Sequence, residues 1–122
     1  MEMESILASV KKMLDIHEQD TNFDPDIIMH VNSVFSDLQQ LGVGPDEGFM
    51  IEDESSTWGD FMADAIKLQS VKSYIYLKVK LLFDNSTLSS TVIGAMERQI
   101  EKYEWRLNVA AESIREEEIE NG

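Results

Sequence analysis

The chain has no cysteine, which excludes a disulfide framework and any zinc or iron–sulfur centre held by thiolates. Histidine occurs twice, as His17 and His30, too few for a metal site without carboxylates gathered from elsewhere in the fold. Bases are scarce, 10 against 24 acids, which leaves a net charge of −14. A surface of that sign neither wraps nucleic acid by bulk charge nor lies on an anionic membrane. Long apolar runs are missing too. The longest stretch without a charged side chain, 85–96, is 12 residues and rich in Ser and Thr, so no membrane span is expected. Glu2 and Glu4 precede the first apolar residues, the reverse of the charge at the start of a secretory leader. The expectation is a soluble protein made in the cytoplasm of a cell. Glycine (6) and proline (2) are few, which leaves little to interrupt helices.

What is present suits one folded domain. At 122 residues and 43% apolar composition, the chain can build one core and is too short for most multidomain designs. A first helix is expected over about 4–16, with Ile6, Leu7, Val10, Met13 and Leu14 on one face. A second opens at Asp24-Pro25-Asp26, with Asp24 as N-cap and Pro25 at the first helical position. It buries Val31, Phe35 and Leu38 and closes at Gly42, a residue able to take positive φ. A third runs over about 64–83, with Leu68, Val71, Ile75, Val79 and Leu82 in line. A fourth runs over about 91–114, where Met96, Ile100, Tyr103 and Leu107 continue a heptad-like seam. The fold class is therefore all-α: a bundle-like arrangement of four helices over 1–114, followed by an acidic tail at 115–122. A long irregular loop separates the second and third helices. Within it, residues 49–52 leave room for a short strand or β-hairpin, and Thr57 to Asp60 has the spacing of a helix cap.

Charge is segregated. Residues 13–66 contain 13 acids and no Lys or Arg, whereas Lys67, Lys72, Lys78 and Lys80 follow with no acid until Asp84. The acidic part and the basic helix are expected to attract, within one chain or between copies. Arg98, Lys102 and Arg106 recur every four residues as one basic stripe on the fourth helix. The stripe reads either as a solvated face with local ion pairs or as a docking surface for an acidic neighbour.

No catalytic arrangement emerges. Gly42-Val43-Gly44-Pro45 lacks the lysine and helix of a phosphate loop. Ser and His form no nucleophile motif. The acids of 46–54 do not follow the twelve-residue calcium pattern. No enzymatic activity, cofactor or metal is expected.

The segments HVNSVFSDLQQLGVGPDEGFMIEDESSTWGDF (30–61), VKSYIYLKVKLLFDNST (71–87) and MERQIEKYEWRLNV (96–109) occur in that order. Together they resemble the head–tail connector, or head-completion, proteins of long-tailed double-stranded DNA phages and prophages of Gram-positive bacteria. The resemblance extends from the first helix to about Val109. Asn85-Ser86 stands where members of that family often carry proline, a change that affects turn stiffness.

The resemblance implies a virion protein of the head–tail interface, made in the host cytoplasm. It implies a ring of about twelve copies beneath the portal protein. That ring would extend the DNA channel, without sequence-specific DNA binding, and offer a platform to the next head- or tail-completion protein. Phe49, Ile51, Trp58 and Phe61, with Arg98, Lys102 and Arg106, are the expected contacts to a neighbouring subunit or connector. For Trp58 and Phe61 the alternative is packing within their own core. Ile6, Leu7 and Val10 at one end, and Arg115 and Ile119 at the other, are the expected portal contacts. A different class of function also fits the charge: an acidic helical regulator, or DNA mimic, that binds a basic host protein.

Overall fold

The computed structural model describes the backbone of residues 3–121 and the side chains of 3–113. Helix α1 (Ile6–Met13) starts where the Ser5 hydroxyl accepts the Ala8 N–H, satisfying one of the free donors of its first turn. Lys11 and Lys12 occupy its last turn, where the helix dipole favours cations. The chain reverses at Asp15, whose φ is 63°. Helix α2 (Asp24–Gln40) carries Pro25 in its first turn and ends before Gly42, which adopts the expected positive φ, 83°. Asp24 is not the N-cap. Phe23 takes that place with no side-chain cap, because the Asp24 carboxylate is engaged by Lys11 Nζ at 2.9 Å.

The one-turn helix α3 (Trp58–Phe61) rests on a capping box. Thr57 Oγ1 accepts the Asp60 N–H, and the Asp60 carboxylate accepts the Thr57 N–H. Asp64 then caps helix α4 (Ala65–Asp84) by accepting from the N–H groups of Ile66 and Lys67. A 3-10 turn, Asn85–Thr87, leads to helix α5 (Ser90–Asn121). The Ser89 hydroxyl accepts the Val92 N–H at its start. The backbone of α5 stays helical well beyond 114.

The described residues contain helices and no strand or sheet, so the fold is all-α with four principal helices. Helix α4 is the centre. It packs against α1, α2 and α5, and α1 also packs on α2. Leu68, Val71, Tyr74, Ile75 and Val79 of α4 are buried against Ile27, Val31, Val34, Phe35 and Leu38 of α2, the buried face of α1, and Ile100 and Leu107 of α5. Each such side chain contributes about 1.5–3 kcal/mol relative to exposure.

Three expectations are corrected. Leu82 falls in line with the α4 core but is 46% exposed. The buried row ends at Val79, and in the last turn it is Phe83 that finds a partner, the edge-on ring of Phe23. Met96 is half-buried rather than a full core residue. The segment 49–52 forms no strand or hairpin, because the backbone of Ile51 is paired by a side chain. Asn32 Oδ1 accepts the Ile51 N–H at 2.8 Å, and Asn32 Nδ2 donates to the Ile51 carbonyl at 3.0 Å. One amide thus satisfies both groups that a neighbouring strand would have paired.

Candidate functional site

The irregular segment turns out to be an interior element. Phe35, Phe49 and Phe61 form a ring cluster with centroids 4.7–5.3 Å apart. Gly44 belongs to the same cluster. Its φ is 92°, and a Cβ there would stand 2.7 Å from a carbon of the Phe61 ring, so the position combines left-handed backbone with no room. Trp58 is completely buried. Its indole N–H donates to Ser9 Oγ at 3.0 Å, and its backbone N–H donates to the Glu4 carbonyl. Its ring meets Tyr76 edge-on, and Lys72 Nζ lies 5.2 Å from the ring centre.

Ile51, Trp58 and Phe61 are therefore core residues of their own chain, at 1%, 0% and 5% exposure. That corrects their assignment to a subunit contact and realises the alternative of internal packing. Phe49 is half-buried against the same core. The portal assignment of Ile6, Leu7 and Val10 is corrected for the same reason. All three are buried where α1 meets α2 and α4. The segment before α1 is also tied to the loop through the Ser5–Thr57 bridge and the Ile6 N–H to Ser56 carbonyl bond. Arg115 and Ile119 lie outside the residues whose side chains are described.

Two sets of charges organise the interior. Lys11 is 3% exposed; its ammonium pairs with Asp24 and donates to the Glu18 carbonyl at 2.8 Å. Lys78 joins three helices, lying 2.7 Å from Asp37 Oδ2 of α2 and 3.5 Å from Glu104 Oε2 of α5. The Tyr74 hydroxyl donates to the same Glu104 oxygen at 2.7 Å. Burial, then the bond to Glu104 and the nearby charges of Glu104 and Asp37, push the Tyr74 phenol well above its ordinary value. The predicted attraction between the acidic part and the basic helix thus operates within one chain at Asp37–Lys78.

The exposed surface carries what remains. Arg98, Lys102 and Arg106 are all exposed on α5. Trp105, 69% exposed, and Val109, 40% exposed, share the stripe of Arg98 and Lys102, on the face opposite the Ile100–Leu107 seam. Trp105 was not among the expected contacts, although its spacing from Arg98 and Lys102 places it there. Arg106 and Lys67 border a depression of about 240 Å³ between α4 and α5, together with Ser70, Tyr103, Leu107 and Ala110. A wider depression of about 590 Å³ lies between the outer face of α2 and the loop, lined by Met29, Ser33, Glu47, Phe49 and Met50 among others. Met50 is 71% and Met29 60% exposed. On the same loop Asp53 is fully exposed, and its carboxyl is held below its ordinary value by hydrogen bonds from the Ser55 side chain and backbone.

Among the described residues no group of His, Cys, Asp or Glu is placed to hold a metal ion, and no helix is long and apolar enough to cross a membrane. Most of the polar constellations described above join helices, cap them or hold the loop; outward on α5 lie Arg98, Lys102, Trp105 and Arg106, with exposed Glu97 and Glu101 alongside. Compared with known families, the chain matches a family model described as phage connector protein over residues 6–113, from the start of α1 into α5. No curated protein and no solved structure matches it.

Proposed function

Because the chain belongs to the phage connector protein family, with a head–tail connector role, we propose that it assembles as a ring beneath the portal protein and extends the channel through which DNA passes. The ring offers its far side as a platform to the next head- or tail-completion protein. The observation that carries this reading is the family match, which runs from the start of α1 through α2 and α4 into α5.

The physical properties support the role. About twelve copies at −14 each would carry roughly −168 charges before counterions, so a passing polyanion meets repulsion rather than adhesion. A conduit benefits from weak wall contact, the opposite of a DNA-binding groove. The reading is structural and non-catalytic, and it needs no cofactor. The alternative of a DNA mimic draws on net charge alone, which the connector role accounts for equally.

Electron microscopy of the purified chain mixed with its portal protein, and of intact particles, tests the proposal. The expected result is an annular density at the portal with the chain in multiple copies. A chain that remains monomeric with the portal and is missing from particles overturns the proposal. A parallel binding assay with duplex DNA at physiological salt is expected to show no tight complex. Tight binding would overturn the account of the channel wall while leaving the ring to the microscopy.

A further inference from the structure

The chain's few bases divide into those paired within the chain and those left without a carboxylate partner. Lys11, Lys78 and Lys80 each lie 2.7–3.0 Å from an acid of their own chain. Lys12 on α1 and Lys67, Arg98, Lys102 and Arg106 have no ion pair among the described residues. The last three run along α5, and Lys67 of α4 borders the α4–α5 depression together with Arg106. Trp105 stands between Lys102 and Arg106 in sequence and is the most exposed large aromatic side chain described. Arg98, Lys102 and Trp105 share an outward stripe of α5, with exposed Glu97 and Glu101 beside it, and Trp and Arg are the residue types enriched in interface cores.

The loop at 46–54 is its complement. Glu47, Glu52 and Glu54 are exposed there, and Met50 rises beside them at 71% exposure. The segment 13–66, to which the loop belongs, contains no Lys or Arg that could neutralise them. These acids do not sit on a slack tether. Phe49 and Ile51 are anchored inside, Asn32 pins the backbone of Ile51, and Ser55 bonds to Asp53. A surface already held in place loses little conformational freedom when it docks. A methionine thioether against an indole is a favourable contact in its own right.

Resting on the ring reading above, we propose that the α5 face of one copy, with Lys67, Arg98, Lys102, Trp105 and Arg106, docks on the acidic loop of the next copy. The two surfaces share no residue and belong to different elements. Such a contact is head-to-tail: each copy uses its face on one neighbour and offers its loop to the other, so the arrangement propagates until it closes. The loop's role is then to display charge at fixed positions, and α5 supplies the matching cations.

Charge exchange tests it. One variant of the full chain carries Lys102→Glu and Arg106→Glu; a second carries Glu47→Lys, Glu52→Lys and Glu54→Lys. All five positions are exposed, and helical circular dichroism verifies that both variants fold. Native mass spectrometry and sedimentation, with and without the portal protein, read the assembly state. Each variant alone is expected to associate about a hundredfold or more weakly than the wild type, because like charges then face each other. An equimolar mixture is expected to recover wild-type assembly with the two variants alternating, since every junction again pairs opposite charges. Wild-type rings accompanied by unimpaired assembly of either variant overturn this contact and leave the ring reading standing. Pairing of two α5 faces would be revealed by a loop variant that assembles normally, and that overturns the contact too. A mixture that fails to recover does the same. A wild-type chain that stays monomeric with the portal overturns the ring reading and this contact together.

Discussion

Residues 43–64 contain a single helical turn, yet they bury Val43, Ile51, Trp58 and Phe61. Helix α5 is 32 residues of unbroken helix, and among its described side chains only Ile100, Leu107 and Ala111 are buried. Regular backbone and depth in the core thus part company in this molecule. A helix satisfies its own N–H and C=O groups, so it can stand with one face packed and the rest in water. An irregular segment has no such internal supply. It persists where side chains and neighbouring elements provide partners, and here those include Asn32, the Glu4 carbonyl, the Ile6 N–H and the Thr57–Asp60 box. The irregular region is accordingly locked, while the regular one keeps a free face.

The contrast can be broken most forcefully at Trp58. Trp58→Ala leaves a cavity among α1, α3 and α4 and strips Ser9 of its indole donor. Denaturant unfolding is expected to show a loss of about 3–5 kcal/mol, a large share of the stability of a domain this size. An unchanged unfolding midpoint would mean that Trp58 is not a core residue. Next in size is Asn32→Ala, which leaves both backbone groups of Ile51 unpaired. The expected cost is about 2–3 kcal/mol by the same measurement, with hydrogen exchange at Ile51 accelerating sharply.

Tyr74 gives a pH signature between the two regions, since it joins α4 to Glu104 of α5. Its folded-state pKa lies above the ordinary 10.0, so the unfolded chain loses that proton first. The stabilisation is therefore complete below about pH 10 and declines as pH rises beyond it. Ultraviolet titration is expected to show the Tyr74 phenolate appearing only with unfolding, and Tyr74→Phe should flatten this alkaline decline. The smallest effect belongs to Trp105. Trp105→Ala should change stability by no more than about 0.5 kcal/mol, because the side chain is 69% exposed. Weakened self-association by the same variant would sharpen the contrast, separating a residue that holds the fold from one that serves its neighbours.

The helices were readable because their signals are local. Ser and Thr caps, the Asp64 start, the Gly42 stop and three-four apolar spacing all act within a few residues, and they place the all-α fold and most of the core. Trp58 and Phe61 were legible as important apolar residues, with a subunit contact and interior packing left as alternatives. Their partners lie elsewhere: Ser9 is 49 residues from Trp58, and Asn32 is 19 from Ile51. Lys11 similarly reads as a solvated cation at a helix end until Asp24 and Glu18 close over it. Leu82 failed in the other direction. Its wheel position was right, but a helical wheel does not reveal where the neighbouring helices stop. On the candidate surface, the basic stripe was legible from spacing, and the same spacing places Trp105 beside Arg98 and Lys102, although it was not among the expected contacts.

The Asn32 clamp also carries a consequence for how the chain comes apart. Because a residue in the middle of α2 holds the loop backbone by both its groups, the loop cannot loosen unless that amide lets go. Proteases usually nick a polar stretch of this length first. Here 46–54 should resist cleavage under native conditions and become sensitive together with α2, as one cooperative piece.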